Sequence, residues 1–456
     1  MGARSPLGLS PRSRSLAALA LLNASAPLSV GLTGLARLRE ALSPAPQNRA
    51  HTRPAKQPRT VLISGLRMTK ALILARAFAE AGHRVIGCES EDYPFSAHRF
   101  SRALNAFETL PRHDDPAYAE SLFDLIERRE VDVFVPVTSP AGSLIDSALI
   151  PRVPERCRVL HADPSVIARL DDKAAFAQAA SEAGLRVPTT QRITSAREAL
   201  DFDYAAHPRP FILKSIAYDP VGRLDLTRYP MDDRAEMERR ITALPISEDN
   251  PYVLQEFIPG QEYCTHGFFR EGQLRVHCVC RSSAFQVNYA ANTRPDIREW
   301  VERFGRALNL TGQASFDFIE ADDDGAIYAI ECNPRTHSAI TLFAGDDRLA
   351  TAYLDDDPDL REDPPIEPRL DAAPSYWAAH QLWRVIDPKG KEGERPRHLA
   401  DLLEGRDAVF DPRDPLPFLA LHHVHIPALL MQALAKGEDW HRIDFNIGKL
   451  VKAGGD

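Results

Sequence analysis

Three polar side chains between residues 317 and 333 have the types and the spacing of a cation site. Asp317 lies inside the apolar run 314–319, and Glu331 and Asn333 close the strand-like run that follows it. Two carboxylates and an amide oxygen on adjacent strands would form an all-oxygen site, which Mg²⁺ prefers. The alternative is that both acids are solvated strand residues, but bulky apolar neighbours flank each of them, where unpaired carboxylates are rarely left. The sequence therefore predicts a divalent-cation site.

Arg335 extends this pattern. It follows Asn333 by two positions, and it falls on the same face because side chains alternate along a strand. A guanidinium beside a divalent cation stabilises the charge on a phosphoryl group during its transfer. We therefore predict phosphoryl-transfer chemistry, with Arg335 as a catalytic residue.

Features of a nucleotide cleft precede the cation site in the chain. Lys214 ends a buried strand predicted at 211–214, and Lys173 opens a helical segment upstream of it. A third apolar run covers 252–258, and Glu262 follows it. Two lysines for phosphates, a strand edge for adenine and an acid for the ribose would hold ATP. Because a lysine at a strand end is usually a surface residue, the prediction rests on the ordered set and not on any one member.

This ordered set resembles the ATP-grasp superfamily, over residues 60–355. The resemblance implies an α/β (α+β) fold of the ATP-grasp type, with an N-terminal parallel α/β pre-ATP-grasp domain and a C-terminal helical appendage. It also implies ATP and Mg²⁺, or Mn²⁺ in its place, as cofactors. The implied roles are phosphate binding by Lys173 and Lys214 (with Lys214 also catalytic), adenine binding by Gln255, Glu256, Phe257 and Ile258, ribose binding by Glu262, metal binding by Asp317, Glu331 and Asn333, and contact with the transferring phosphate by Arg335.

One stretch departs from the superfamily pattern. Many members follow the second lysine with a glycine-rich loop over the phosphates, whereas residues 215–223 contain a single glycine, Gly222. A single glycine makes a poor backbone cradle for phosphate. We expect Arg223 to supply positive charge in place of that cradle.

Composition narrows the class of protein. The 456 residues suffice for two or three packed units, and the formal charge of −9 argues against a general nucleic-acid binder, whose surface is usually basic. The six cysteines form no C-x-x-C pair and no zinc-like spacing with histidine. We expect small-molecule substrates, no nucleic acid and a reducing, cytoplasmic setting.

The first 58 residues differ from the rest of the chain. They carry arginines at positions 4, 12, 14, 37, 39, 49 and 53, and Glu40 is their only acid. The uncharged stretch 16–36 is interrupted by Asn23, Pro27 and two glycines, which makes it a poor transmembrane helix. A signal peptide, an organelle transit peptide and a disordered tail are the open alternatives. Because export would separate an enzyme from ATP, we favour a tail or a peripheral membrane anchor on a cytoplasmic protein.

From residue 60 the sequence alternates strands and helices. Strand-like runs at 60–64, 84–88 and 131–137 and helical patterns at 69–81 and 116–129 predict a parallel α/β unit. A dinucleotide-binding domain with Glu89 as the ribose acid is the competing interpretation, but Gly65–Met68 lacks the second and third glycines of G-x-G-x-x-G. The predicted units are a tail at 1–58, a pre-ATP-grasp domain at 59–163, ATP-grasp subdomains at 164–245 and 246–355, and a linker with a C-terminal appendage at 356–456.

A histidine cluster lies near the C-terminus. His422, His423 and His425 invite a metal-binding interpretation. No acidic or cysteine partner stands at ligand spacing. We therefore favour polar residues on a packed amphipathic element.

Several stretches resemble one family within the superfamily, and this resemblance runs from residue 59 to the C-terminus. They look like the mycosporine-glycine synthases at Gly65–Lys70, His98–Arg102, Lys214–Thr227, Ser282–Tyr289, Glu331–Thr341 and Asp444–Val451. In that family glycine is joined to the cyclohexenone 4-deoxygadusol at the expense of ATP, which makes a sunscreen compound. The resemblance implies the same reaction here. A dipeptide-type ligase acting on a carboxylate would share every nucleotide residue and stays open as the alternative.

The implied acceptor is an enolised 1,3-diketone, which is a vinylogous carboxylic acid. Phosphorylation turns its oxygen into a good leaving group, so no Ser, Cys or His nucleophile is needed. Its anionic form requires cationic partners, and surface ion pairs are the competing interpretation for each of them. The expected substrate residues are Arg67, Lys70, His98, Arg99, Arg102 and Arg281 for the enolate, with Ser282 and Ser283 for the ring hydroxyls or the glycine carboxylate.

Overall fold

The computed structural model describes residues 10–42, 54–217, 225–282, 288–355, 363–386 and 394–452. Its helices are α1 (Pro11–Leu42), α2 (Thr69–Glu80), α3 (Tyr118–Arg128), α4 (Pro140–Leu149), α5 (Pro164–Asp171), α6 (Lys173–Glu182), α7 (Ala196–Leu200), α8 (Arg234–Ala243), α9 (Pro295–Ala307), α10 (Arg348–Leu354), α11 (Ala378–Ile386), α12 (Glu394–Glu404), α13 (Leu416–Ala420) and α14 (Ile426–Lys436). Its strands are β1 (Thr60–Ile63), β2 (Arg84–Ser90), β3 (Ala106–Leu110), β4 (Val133–Val135), β5 (Arg158–Val159), β6 (Thr190–Ile193), β7 (Phe211–Ser215), β8 (Tyr252–Glu256), β9 (Gly260–Arg270), β10 (Gln273–Arg281), β11 (Asn288–Tyr289), β12 (Ala291–Asn292), β13 (Gly312–Ala321), β14 (Ile327–Asn333), β15 (Ser375–Tyr376), β16 (Arg406–Asp407), β17 (Trp440–Asp444) and β18 (Lys449–Lys452).

The first sheet is parallel, with strand order β3-β2-β1-β4-β5. Val61 and Ile63 of β1 belong to one buried cluster and Leu62 to another, because side chains alternate and both faces are covered. The predicted parallel α/β unit is confirmed, although β4 is shorter than the run 131–137. The strand order reverses between β1 and β4, and ligands of such sheets bind beyond the carboxyl ends of the strands at that point.

Two antiparallel sheets follow, with orders β6-β8-β7 and β12-β10-β9-β13-β14. The sequence grouped the strand at 252–258 with the third unit, whereas β8 is the central strand of the sheet that contains Lys214. Helix α9 lies on the larger sheet, where Trp300 and Phe304 pack against Phe316. All six cysteines are buried and unpaired.

The C-terminal region shares a core with the first unit. Leu72 and Phe78 of α2 fall in the same buried cluster as Phe418 and Leu421. The carbonyl oxygen of Asn446 accepts hydrogen bonds from the backbone N–H and the hydroxyl of Thr69, at 2.9 and 3.1 Å. The region is therefore packed into the body of the protein along a seam between Asn446 and the start of α2.

The C-terminal histidines lie in this packed region. His422 and His425 are buried, and Nδ1 of His422 lies 2.9 Å from the carbonyl oxygen of Phe418. Nδ1 of His425 accepts a hydrogen bond from the backbone N–H of Ala97 at 3.4 Å. Throughout the described ranges, no group of three or more His, Cys, Asp or Glu side chains is arranged to hold a metal ion.

The N-terminal segment is helical in the structure. Residues Ser15, Leu22 and Ser29 form the buried face of α1, and Nε1 of Trp440 donates a hydrogen bond to the hydroxyl of Ser15 at 2.9 Å. By length and composition, α1 and the segment Leu416–Lys436 are each long and apolar enough to cross a membrane. The segment Leu416–Lys436 is the more deeply buried of the two, since 44% of its most apolar 18-residue stretch is buried, against 11% for α1.

Candidate functional site

Asp317, Glu331 and Asn333 converge where β13 pairs with β14. Asp317 lies directly opposite Glu331 in the antiparallel ladder, and the register shifts immediately after this pair. Nδ2 of Asn333 lies 3.4 Å from Oδ2 of Asp317 and 3.5 Å from Oε1 of Glu331. The two strands therefore bring these three predicted metal ligands together.

The donor set fits a hard divalent cation. Oδ1 of Asp317 is buried and has no hydrogen-bond partner in the described part of the chain. Burial, followed by the charge of Glu331, raises the pKa of Asp317 well above its ordinary value. Burial alone would also raise the pKa of Glu331, but the charges of Lys173, Lys214 and Arg335 help to hold it below its ordinary value. A strained carboxylate pair with an unpartnered oxygen suits Mg²⁺ or Mn²⁺, because the cation offsets the repulsion.

Both predicted phosphate lysines lie at this cation site. Lys173 begins α6, which is capped by the carboxylate of Asp172 through the backbone N–H groups of Ala174 and Ala175. Its Nζ lies 3.7 Å from Oε2 of Glu331. Lys214 lies on β7, and its positive charge contributes to the low pKa of Glu331. The structure thus places cationic side chains from two other elements beside the carboxylate pair.

Arg335 occupies a tight turn directly after β14. Its Nη2 donates to Oδ1 of Asn333 at 2.6 Å, and its backbone N–H donates to the carbonyl oxygen of Asn333 at 2.7 Å. Burial lowers the pKa of Arg335, while the charges of Asp171, Glu331 and Asp317 oppose that change. A guanidinium keeps its charge under these conditions, so Arg335 presents a fixed cation next to the triad.

The first unit holds the backbone on both sides of Arg335. The Ser143 hydroxyl of α4 donates to the carbonyl oxygen of Pro334 at 2.9 Å, and Nζ of Lys70 donates to the carbonyl oxygen of Thr336 at 2.7 Å. Nε2 of His161 lies 3.1 Å from the Ser143 hydroxyl. The hydrogen bonds to Pro334 and Thr336 fix the turn that carries Arg335 against the carboxyl edge of the parallel sheet.

The predicted adenine residues form the end of β8 and the hinge after it. The side-chain amide of Gln255 donates to the carbonyl oxygen of Ile330 at 3.1 Å, so it links β8 to β14. The backbone N–H of Glu256 donates to Thr189 at 2.8 Å, and that of Phe257 donates to Pro210 at 2.7 Å. The backbone N–H groups of Glu256 and Phe257 are therefore already engaged within the fold.

Glu262, the predicted ribose acid, lies near the cation triad. It is on β9 opposite Ile319 of β13. Its negative charge contributes to the raised pKa of Asp317, after burial and the charge of Glu331. The predicted ribose acid and the predicted metal ligands thus lie on the neighbouring strands β9, β13 and β14.

Two of the predicted acceptor residues join a cationic cluster next to Arg335. Lys70 is buried in the first turn of α2, and Arg67 stands just before that helix. Burial, followed by the charges of Arg335 and Arg67, lowers the pKa of Lys70 to about 7. The guanidinium of Arg67 lies 4.3 Å from the ring centroid of Tyr93, and its Nε is 3.6 Å from Oε1 of Glu89. Lys70, Arg67 and Arg335 together favour the binding of an anionic ligand.

The loop that carries the other predicted arginines has different partners. Arg99 covers the ring of Phe107 at 4.7 Å. Arg102 forms an ion pair with Glu40 of α1 and donates to the carbonyl oxygen of Arg413 at 2.7 Å. Neither contributes to the lowered pKa of Lys70. The structure does not bring Arg99 and Arg102 into the cationic cluster.

The remaining predicted residues are dispersed. His98 is fully buried, and burial followed by the charge of Arg76 lowers its pKa to about 3, so its ring is neutral. Arg281 ends β10, and the backbone N–H of Ser282 donates to the carbonyl oxygen of Glu262 at 3.0 Å, which places this strand end beside Glu262. Ser283 and Arg223 lie outside the described residues.

Sequence reasoning missed Ser143 and His161. Each lies in the segment that follows a parallel strand, Ser143 after β4 and His161 after β5. Polar residues in those segments fall at the ligand-binding edge of the sheet, and that position is the signal which could have identified them. The hydrogen bond from Ser143 to Pro334 spans 191 positions, so no local pattern predicts it.

Comparison with known proteins supports this architecture. No family model matches the chain. It is 29% identical over 210 residues to the carbamoyl phosphate synthase large chain of Xylella fastidiosa, and 29% identical over 202 residues to the mitochondrial arginine-specific large chain of Neurospora crassa. These matches cover 41% and 40% of this chain, but only 18% and 17% of the relatives. The chain therefore spans less than a fifth of the length of these two relatives.

Solved structures extend the comparison over more of the chain. The ADP complex of N5-carboxyaminoimidazole synthetase from Staphylococcus aureus matches with a TM-score of 0.50 and 15% identity, covering 71% of this chain and 82% of that one. An ADP complex of N5-carboxyaminoimidazole ribonucleotide synthetase matches with a TM-score of 0.51, 15% identity and the same coverage. These likenesses show the fold. The chain has the ATP-grasp fold, and the predicted fold class is confirmed.

Proposed function

We propose that the protein is an ATP-dependent, ADP-forming C–N ligase that joins glycine to the cyclohexenone 4-deoxygadusol and so forms mycosporine-glycine, a UV-protective compound. The observation that carries the proposal is the convergence of Asp317, Glu331 and Asn333 with Arg335 and with the cationic cluster around Lys70. Oxygen ligands for a divalent cation next to a buried anion site are what phosphoryl transfer to an enolate requires.

ATP and Mg²⁺, or Mn²⁺, are the proposed cofactors. Asp317, Glu331 and Asn333 would hold the cation, which neutralises phosphate charge when bound. Lys173 and Lys214 would contact the phosphates. Gln255, Glu256, Phe257 and Ile258 would flank the adenine, and Glu262 would bind the ribose hydroxyls.

The acceptor is proposed to lie between Arg335 and the cationic cluster. Lys70 and Arg67 would orient the enolate, and Arg335 would stabilise charge on the phosphoryl group as the enolate oxygen forms its bond to phosphorus and the bond to ADP breaks. The glycine nitrogen then bonds to the ring carbon, the carbon–oxygen bond to phosphate breaks, and the amine loses a proton. ATP, acceptor and amine thus give ADP, phosphate and product, with no covalent enzyme intermediate.

Arg281 and Ser282 are the residues proposed to bind the glycine carboxylate, together with Ser283. The support is the position of Arg281 at the end of β10, after which the Ser282 amide contacts the strand that carries Glu262. Small-molecule substrates and a requirement for ATP favour a cytoplasmic location. The competing function is that of a dipeptide-type ligase, in which a carboxylate takes the place of the enolate.

The test is incubation of the purified protein with ATP, MgCl₂, glycine and 4-deoxygadusol. We expect mycosporine-glycine in the chromatogram, with ADP and phosphate released in equal amounts. Parallel reactions replace the cyclohexenone with a panel of amino acids. Phosphate release with amino acids alone would establish the dipeptide-type activity in its place, and formation of AMP with pyrophosphate would overturn the proposed chemistry.

A further inference from the structure

Helix α1 presents a ridge of exposed leucines to its surroundings. Leu21, Leu28, Leu35 and Leu42 recur every seventh residue, so they form one ridge along the helix. Their exposed fractions are 69%, 68%, 65% and 74%. Contiguous exposed apolar surface of this kind marks an interaction site, because single exposed leucines are common but aligned ones are not.

The opposite face of α1 is attached to the protein at both ends. Near the start of the helix, Trp440 donates a hydrogen bond to the buried Ser15. Near its end, Glu40 pairs with Arg102 of the first unit. The helix therefore lies along the body of the protein, with its leucine ridge facing outward.

The charge pattern of α1 identifies the partner. Residues 15–36 contain no charged side chain. A helix that pairs with a second copy in water normally carries charged residues beside its apolar seam. Instead, Arg12 precedes the uncharged stretch, Arg37 and Arg39 follow it, and Glu40 is the only acid among the first 58 residues. Basic residues that flank an apolar face suit an anionic lipid surface.

We propose that α1 is a peripheral membrane anchor that lies in the plane of an anionic lipid surface. The leucine ridge would enter the boundary between headgroups and acyl chains, and the flanking arginines would contact anionic headgroups. A spanning orientation would require the contacts at Ser15 and Glu40 to break at the same time. This inference is independent of the substrate proposal, since it concerns neither the triad nor the cationic cluster.

The test is flotation of the full-length protein with lipid vesicles. One set consists of phosphatidylcholine alone, and a second contains about one quarter phosphatidylglycerol. We expect binding to the second set, weakening as salt screens the arginines. The triple variant Leu21→Gln, Leu28→Gln, Leu35→Gln should bind at least roughly tenfold less, because these side chains would no longer enter the lipid. Arg12→Gln with Arg37→Gln should remove the preference for anionic vesicles.

Leu403→Gln provides the matched control, since Leu403 is an exposed leucine on α12. It should leave vesicle binding unchanged. All substituted leucines are exposed, so thermal unfolding should be the same as for the unsubstituted protein. Equal binding of the triple variant would overturn the proposal. So would a dimer in lipid-free solution that the triple variant abolishes, or a mature protein from its native source that lacks residues 11–42.

Discussion

The hydroxyl of Ser143 donates a 2.9 Å hydrogen bond to the carbonyl oxygen of Pro334. This contact joins the parallel sheet unit to the turn that carries Arg335. Lys70 makes the equivalent contact on the other side, to the carbonyl oxygen of Thr336 at 2.7 Å. The position of the Arg335 guanidinium is therefore determined by the parallel-sheet unit as well as by β14.

Replacement of Ser143 by alanine should lower kcat by roughly tenfold, because the Pro334 carbonyl loses its anchor and Arg335 is less well positioned. The KM for ATP should change little. Steady-state kinetics with each substrate varied separately measures both constants. Ser147→Ala is the control, since the Ser147 hydroxyl donates within α4, to the carbonyl oxygen of Leu144 at 2.9 Å. Equal kinetics for the two variants would show that the Ser143 contact has no role in positioning.

Glu331→Gln should reduce kcat by at least roughly a hundredfold, because a neutral amide holds a divalent cation poorly. Asn333→Ala should also be strongly impaired. Circular dichroism should show an intact fold for both variants. Asp322→Asn, at the exposed turn between β13 and β14, is the control that changes the same charge without touching the site. Near-normal turnover by both site variants would refute the metal assignment.

Lys70 should make unfolding dependent on pH above neutrality. Its pKa of about 7 in the folded protein lies below the ordinary value of 10.5, so the unfolded chain binds more protons between those pH values. The free energy of unfolding should therefore rise with pH in this window, by about 2 kcal/mol between pH 7 and pH 9 from this residue alone. Urea unfolding of the protein and of Lys70→Met, at each pH, measures the difference. An identical pH dependence for both proteins would contradict the low pKa.

Arg67→Ala should raise the KM for the acceptor far more than the KM for ATP, because Arg67 contributes to the cationic cluster around Lys70. Arg102→Ala is the matched control, since Arg102 is paired with Glu40 instead. Initial rates with the acceptor varied at saturating ATP measure the effect. If Arg102→Ala alone raised the acceptor KM, the acceptor would lie at the loop after β2, as the sequence predicted.

Oxygen labelling tests the order of bond changes. With ¹⁸O in the reacting ring oxygen of 4-deoxygadusol, the label should appear in inorganic phosphate, because that oxygen leaves together with the phosphoryl group. Mass spectrometry of the released phosphate and of the product follows the label. Release of the label into water would show that the amine condenses with the ketone directly.

The closeness of Asp317, Glu331 and Lys173 could be anticipated from sequence because each occupies a recognisable place in a strand or a helix. Asp317 and Glu331 lie in apolar runs whose register brings them opposite each other, and Lys173 and Lys214 hold the expected places at the start of a helix and near the end of a strand. Strand alternation and burial are local properties, so the sequence carries them directly.

The acceptor side could not be predicted in the same way. Arg67, Lys70, Arg99 and Arg102 are all cations near the ends of the first two strands, and nothing in their spacing separates the pair that faces Arg335 from the pair that does not. The distinction depends on partners far away in sequence, such as Glu40 for Arg102 and Thr336 for Lys70. The packing of α1 against the C-terminal region could not be predicted either, because the contact of Ser15 with Trp440 spans 425 positions.

The seam between Thr69 and Asn446 has a consequence for synthesis of the protein. The hydroxyl of Thr69 reaches a carbonyl group that lies 377 positions later. On the ribosome, the parallel sheet and both antiparallel sheets are therefore translated long before the start of α2 can meet its final neighbour. A nascent chain from which residues 60–333 have left the ribosome still exposes the apolar side of α2, so chaperones would engage it during that interval.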